Sequence, residues 1–194
     1  MKTLDLFIVE IESQTKDTIV TDGGLELYID TKFNEFEHRT TEAPIVAAPS
    51  KYKTGASVGD TLYFHHLVVL NEGQTLTGLD KNYTVRYDPK ETINNQAIAY
   101  KDQKTGSIHP LAGWVLLEHV DEEEEVLSEV IEVVKLKEKP VIKGRVGFDA
   151  PWVEELGLKK GDVVGFKKGI NYKIDIDGVN YYRLRAEDLL YVEA

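Results

Sequence analysis

The chain alternates short runs of apolar and polar residues, and these runs are rich in Val, Ile, Tyr and Phe. Alternation with a period of two is typical of a β-strand that buries one face. The clearest runs cover residues 6–11, 61–64, 83–87, 163–166, 172–176 and 181–185. Gly-containing turns separate them, and helical periodicity is confined to residues 152–156 and an acidic stretch at 121–134. The pattern therefore predicts an all-β protein.

Three segments of the first half have counterparts in the second half, in the same order. The pairs are residues 58–64 with 160–166, residues 83–86 with 182–185 and residues 7–10 with 115–118, at offsets of 102, 99 and 108. A changing offset is what loops of different length produce between two copies of one domain. The repeat predicts a first domain at residues 1–102 and a second at 108–194, joined by a polar, turn-like junction.

Composition narrows the function classes. The chain has 194 residues, 23 Lys plus Arg against 34 Asp plus Glu, a net charge of −11 and no cysteine. The absence of cysteine excludes disulfides, a thiol nucleophile and a Cys-ligated metal, and the acidic balance argues against nucleic-acid binding. Neither a signal peptide nor a membrane span is found in the sequence, so a cytoplasmic protein is expected.

The second copy resembles the C-terminal half of a GroES-like co-chaperonin. It carries Gly161-Asp162 before an apolar strand, a glycine hairpin, and a closing segment from Ala186-Glu187-Asp188 into the last strand. The first copy is similar to the N-terminal half of that family, with Gly23-Gly24-Leu25-Glu26-Leu27 matching the family's mobile loop. The tandem form resembles the double co-chaperonins of chloroplasts, and phages also encode divergent members, in which case the setting is the host cytoplasm. The resemblance implies two tandem GroES-like, partly open β-barrels.

The resemblance also implies a function. A GroES-like protein is a co-chaperonin that caps a GroEL-like chaperonin ring and assists ATP-dependent folding, without being an enzyme or holding a cofactor. Residues 15–41 suit the mobile loop, because Gly23 and Gly24 give the backbone freedom. The apolar anchors expected to bind the partner follow them: Leu25, Leu27, Tyr28 and Ile29. The alternative is that residues 25–29 form an ordinary strand after a Gly-Gly turn.

The chain departs from the family pattern in three places. Glu26 interrupts what is usually an apolar triplet, which should weaken that anchor. The second copy has no Gly-Gly loop and carries an acidic run at residues 121–125 in its place. Residues 48–58 and 149–160 are short where the family has a roof hairpin, so a reduced roof is expected.

The resemblance further implies a ring-forming homo-oligomer held together through its terminal strands. Residues 6–12 and 189–192 are expected to be free outer strands that pair head to tail, while the strands that flank the junction pair within one chain. The alternative is a monomer whose edges are covered by loops.

Other groups of residues carry weaker signals. His65 and His66 are consecutive, and strand neighbours point to opposite faces, so a shared metal is disfavoured. No nucleotide-binding glycine motif and no distinct carboxylate pair is found in the sequence, and Trp114 and Trp152 are interpreted as packing residues. Two rival functions remain open: a structural or binding module, such as a phage-encoded particle component, and a small-molecule enzyme on a β-barrel.

Overall fold

A computed structural model describes residues 2–16, 18–21, 23–28, 38–72, 75–76, 79–120, 141–170 and 172–193. Within these ranges the chain forms fifteen β-strands and little helix. It divides into two compact units, Met1–Gly113 and Trp114–Ala194. The predicted all-β fold with two similar β domains is confirmed.

The first unit consists of a seven-stranded sheet and a separate two-stranded hairpin. Its strands are β1 (Leu6–Glu10), β2 (Thr18–Val20), β3 (Glu26–Tyr28), β4 (Glu42–Ala47), β5 (Thr61–Phe64), β6 (Thr75–Leu76), β7 (Leu79–Arg86), β8 (Ala97–Lys101) and β9 (Ile108–Pro110). The sheet has the order β6-β7-β1-β4-β5-β8-β9, and all neighbours are antiparallel. The hairpin is formed by β2 and β3.

The second unit is a six-stranded antiparallel sheet. Its strands are β10 (Trp114–His119), β11 (Val141–Val146), β12 (Val163–Lys167), β13 (Lys173–Ile176), β14 (Val179–Arg185) and β15 (Leu189–Val192). The order is β13-β14-β10-β11-β12-β15. A short helix, α1 (Pro151–Glu155), confirms the predicted helical turn, and its first turn contains the proline that favours helix starts. The acidic stretch at 121–134 lies outside the described residues.

The two sheets share one strand order, which supports the internal duplication. In sheet order, the strands β6-β7-β1-β4-β5-β8 of the first sheet correspond one by one to β13-β14-β10-β11-β12-β15 of the second. The register agrees as well, because Leu6 pairs with Arg86 and Trp114 pairs with Arg185, at the offsets of 108 and 99 seen in the sequence. Equivalent buried side chains fill the two cores, in pairs such as Phe7 with Val115, Val9 with Leu117, Phe64 with Phe166 and Tyr83 with Tyr182.

Both units also contain the same Gly-Asp turn. Gly59 has a φ of 94° and Gly161 a φ of 95°, a left-handed conformation that glycine adopts without strain. The Gly59 N–H donates to the Ile45 carbonyl at 2.9 Å, and the Gly161 N–H donates to the Val146 carbonyl at 2.8 Å. The recurrence of Gly-Asp in the sequence therefore reflects a shared turn that leads into β5 and β12.

The structure corrects the expectation about outer strands. β1 lies between β7 and β4, so the interpretation of residues 6–12 as a free outer strand is wrong. β15 does lie at a sheet edge, and β8 and β9 pair across the junction within one chain. Because of this pairing, β9 belongs to the first sheet. The boundary between the two compact units along the chain follows Gly113, beyond the predicted junction at residues 102–108.

Residues 48–60, between β4 and β5, contain no strand, and residues 147–162 contain α1 and no strand. Within the described ranges, no helix is long and apolar enough to span a membrane.

Candidate functional site

Residues 13–16 and 38–40 form a hydrogen-bonded neck between the first sheet and the β2–β3 hairpin. The Lys16 N–H donates to the His38 carbonyl at 2.6 Å, and the Thr40 N–H donates to the Gln14 carbonyl at 2.9 Å. The Thr40 hydroxyl donates to the Ser13 carbonyl at 2.6 Å. The two arms of the segment therefore leave the sheet side by side.

Side chains of this neck also contact strands of the first sheet. The Gln14 amide donates to the Tyr83 hydroxyl at 2.8 Å, and Tyr83 belongs to the buried core on β7. Lys16 and Glu42 form an ion pair at 2.7 Å across the neck, just where β4 begins. The base of the hairpin is thus held by a contact to a core residue as well as by backbone hydrogen bonds.

The tip of the hairpin is closed by one threonine. The Thr21 N–H donates to the Leu25 carbonyl at 2.9 Å, and the Thr21 hydroxyl accepts the Leu25 N–H at 3.1 Å. The Gly24 N–H donates to the Thr21 carbonyl at 2.8 Å, and Gly24 has a φ of 77°. Glycine at this position allows the chain to reverse without strain. The Gly-Gly step is therefore part of a hydrogen-bonded turn.

Apolar side chains on the hairpin lie in solvent. Leu25 is 62% exposed, Leu27 is 46% exposed and Tyr28 is 81% exposed. Core residues of the same unit such as Phe7 and Val9 have no exposed surface. Exposed apolar side chains grouped on one element indicate a surface that another molecule covers.

The structure brings five of the six predicted site residues onto one hairpin. Gly23 and Gly24 form the turn, Leu25 follows it directly, and Leu27 and Tyr28 lie on β3. Ile29 lies outside the described residues. The rival interpretation, a strand after a Gly-Gly turn, is correct for residues 26–28, although all three of these residues are exposed. The sequence did not reveal the neck or the role of Thr21; a threonine shortly before Gly-Gly is the signal that could have indicated a closed tip.

A second candidate surface is the joint between β8 and β9. Tyr100 pairs with His109, and their rings stack with centroids 4.9 Å apart. Burial, with the nearby Asp60 and Asp102 charges, raises the pKa of the Tyr100 hydroxyl. Leu111, directly after β9, donates its N–H to the Ile98 carbonyl at 2.8 Å and is buried in the core of the first unit. The segment that precedes β10 is therefore docked on the outer edge of β8.

The equivalent edge in the second unit is uncovered within the described residues. β15 pairs with β12 on one side and is the last strand of its sheet. Its apolar residues are partly in solvent, with Leu190 46% exposed, Tyr191 43% and Val192 48%. An apolar edge strand of this kind presents free backbone groups for another strand to pair with.

The consecutive histidines are arranged differently from the expectation. The rings of His65 and His66 stack with centroids 4.4 Å apart, because both lie beyond the end of β5, where strand alternation no longer applies. The His65 Nδ1 accepts the Leu67 N–H at 3.2 Å. In the part of the chain that the structure describes, no three His, Asp or Glu side chains converge as metal ligands.

The two tryptophans pack as predicted. Trp114 is buried, and the guanidinium of Arg185 lies 3.6 Å from its ring centroid. Trp152 packs against the core of the second unit. Close to Trp114, burial and the charge of Arg185 lower the pKa of Arg183 to about 10.

Known proteins similar to this chain are co-chaperonins. No protein-family model matches it. Co-chaperonin GroES of Desulforapulum autotrophicum is 34% identical over 93 residues, which cover 97% of that protein and 44% of this chain. Co-chaperonin GroES of Campylobacter curvus is 37% identical over 86 residues, and that of Porphyromonas gingivalis ATCC 33277 is 35% identical over 88 residues. These matches cover 96% and 98% of the two relatives and 44% of this chain.

Each relative is thus matched almost end to end by less than half of the chain, which agrees with a chain that holds two copies of one domain. The strand order shared by the two sheets supports the same conclusion. The chain belongs to the GroES co-chaperonin family.

Proposed function

We propose that the chain is a co-chaperonin that caps a GroEL-like chaperonin ring through the β2–β3 hairpin and assists ATP-dependent folding without hydrolysing ATP. One observation carries the proposal. Leu25 and Leu27 are exposed on a hairpin that pairs with no other strand among the described residues. This arrangement suits insertion into an apolar groove on a partner.

The expected affinity of one hairpin is low. Burying a leucine side chain contributes on the order of 1.5–3 kcal/mol, and part of this is offset by the cost of fixing the two partners. The hydrogen bonds of the neck and of Thr21 reduce the ordering cost, because the turn is already formed. Several hairpins that bind one chaperonin ring together would convert weak contacts into useful avidity.

Leu27→Asp tests this proposal directly. The substitution removes an apolar contact and adds a carboxylate that would lose its hydration in the groove, so it should abolish capping in the presence of nucleotide. Because Leu27 is half-exposed, the melting temperature should change little. Ile93→Asp is the matched control, since Ile93 is 65% exposed on the 3-10 turn Thr92–Asn94, outside the hairpin. Co-migration with a chaperonin ring and thermal melting on one preparation measure both effects.

Two outcomes would contradict the proposal. If Leu27→Asp lowers the melting temperature by many degrees, Leu27 supports the fold instead of the interaction. If the wild-type chain does not co-migrate with a chaperonin ring, the rival function of a structural module gains support. Loss of binding in both Leu27→Asp and Ile93→Asp would show that the effect is not specific to the hairpin.

The same proposal includes a head-to-tail assembly, for which the β8–β9 joint is the template. The repeat offset of 108 makes Pro110, Leu111 and Ala112 the counterparts of Lys2, Thr3 and Leu4. Ala112 packs against the core of the first unit, whereas Leu4 is 74% exposed. We infer that residues 2–4 of one chain dock on the edge of β15 in the next chain, as residues 110–112 dock on β8 within the chain. Contacts of this kind close into a ring when the rotation between copies allows it.

A further inference from the structure

The hairpin has a second face that the leucines do not use. Alternation along β3 puts Leu27 on one face and Glu26 and Tyr28 on the other. Tyr28 is 81% exposed, the largest fraction of any large apolar side chain that the structure describes. When the leucine face enters a groove, this second face remains available to the groove's rim.

The Glu26 carboxylate forms no ion pair with any residue that the structure describes. Three other glutamates have lysine partners, in the pairs Lys16 with Glu42, Lys81 with Glu12 and Lys143 with Glu193. Glu26 is exposed and stands in a chain with a net charge of −11. A cation on a partner molecule would complement this charge.

The spacing of Glu26 and Tyr28 suits one kind of cation. Two residues apart on a strand corresponds to about 7 Å. An arginine side chain can stack its planar guanidinium on a tyrosine ring and direct its N–H groups at a carboxylate at that distance. An ammonium group is a compact charge and cannot satisfy both contacts as well.

We propose that Glu26 and Tyr28 together receive an arginine side chain of the chaperonin, at the rim of the groove that takes Leu25 and Leu27. This inference rests on the proposed function and adds the chemistry of the partner. The leucines supply most of the affinity, and the Glu26–Tyr28 pair restricts binding to chaperonins with a guanidinium at this place. The acidic residue within the apolar element is then a specificity determinant.

Binding of the full chain to a purified bacterial GroEL ring with ADP, at about 50 and 300 mM KCl, tests the inference. The variants are Glu26→Gln, which removes the charge, Glu26→Val, which makes the element fully apolar, and Tyr28→Leu, which removes the ring but keeps apolar surface. We expect each to bind about five- to tenfold more weakly than the wild type at low salt. The wild-type affinity should fall with salt, whereas that of Glu26→Gln should change much less.

The Glu26→Val result separates the two possible roles of the carboxylate. If Glu26 only interrupts an apolar anchor, Glu26→Val binds more tightly than the wild type, and the inference is wrong. Equal salt dependence of the wild type and Glu26→Gln also overturns it, while the proposed capping function stands. If the wild type itself does not bind the ring, the proposed function fails and this inference fails with it. Thermal melting of each variant checks that the fold is unchanged.

Discussion

At the residue scale, the two units differ at one equivalent cross-strand pair, because the large side chain lies on opposite strands of the pair in the two units. Tyr63 on β5 faces Ala99 on β8, and at the equivalent position Gly165 on β12 faces Tyr191 on β15. Tyr63 is buried, whereas Tyr191 is 43% exposed and covers the glycine. A Cβ on Gly165 would lie 2.4 Å from the Tyr191 ring, so the two positions have to be considered together.

Gly165→Ala should therefore destabilise the protein by about 1 kcal/mol, because the Tyr191 ring must move away. The cost is at the low end for overpacking, since the ring is at an edge and partly in solvent. Denaturant unfolding of the single variants and of the double variant with Tyr191→Ala measures it. In the Tyr191→Ala background the alanine should cost almost nothing. An equal cost in both backgrounds would show that the ring is not its cause.

The two Gly-Asp turns allow a comparison within one chain. The Asp60 carboxylate accepts the Ser57 N–H at 2.7 Å and the Gln103 N–H at 3.1 Å, and Asp60 is buried. The Asp162 carboxylate accepts the Lys159 N–H at 3.0 Å in the equivalent turn. Asp60→Ala should cost about 1–3 kcal/mol because it removes two hydrogen bonds accepted by a buried carboxylate, and Asp162→Ala should cost less because it removes one. Thermal melting of both variants checks the order; a reversed order would contradict this account.

At the scale of elements, the closed tip of the hairpin makes its own prediction. Thr21→Val removes the hydroxyl that accepts the Leu25 N–H, so hydrogen exchange at residues 25–28 should become faster in the free protein. Chaperonin binding should weaken, because more of the hairpin must then be ordered on binding. Thr105→Val is the matched control, since the Thr105 hydroxyl accepts the Ser107 N–H in the junction. Unchanged exchange in Thr21→Val would mean that the tip is held by other contacts.

The runs of apolar and polar residues predicted β1, β5, β12, β13 and parts of β7 and β14, but they did not indicate β4, β8 or β11. They also did not indicate β2 or β9, since strands of three residues give too few positions for a period. The central place of β1 was missed because local pattern does not encode strand order. The signal was nevertheless present: Phe7, Ile8 and Val9 are all buried, and a strand buried on both faces has consecutive apolar residues.

The candidate site was only partly predictable for a similar reason. Gly23-Gly24 indicated a turn because glycine has a known backbone preference. The neck depends on hydrogen bonds between residues far apart in the sequence, such as Lys16 and His38, and no local pattern reports these. The exposure of Leu27 likewise depends on which strands the hairpin does not pair with.

At the scale of the whole molecule, the proposed assembly predicts the native mass. Leu4 is the counterpart of Ala112, which packs against the core of the first unit. In the proposed assembly, Leu4→Asp puts a charge at the equivalent contact with the next chain. The variant should therefore reduce a multi-chain assembly to single chains of 21.9 kDa. Val58→Asp is the control, because Val58 is 68% exposed and lies outside residues 2–4. Native mass spectrometry distinguishes the two. A wild type of 21.9 kDa, or a Leu4→Asp variant with the wild-type mass, would contradict head-to-tail assembly.

The β8–β9 joint within the chain has a consequence for stoichiometry. A ring closed in the proposed way contains an even number of units, because each chain contributes two covalently linked units. Only the contacts between chains can open, so dilution would release whole two-unit chains and never single units. Gly-Gly occurs in the first copy alone, so such a ring offers one Gly-Gly hairpin for every two units. With half as many contacts as units, each hairpin must bind its partner more tightly to give the same avidity.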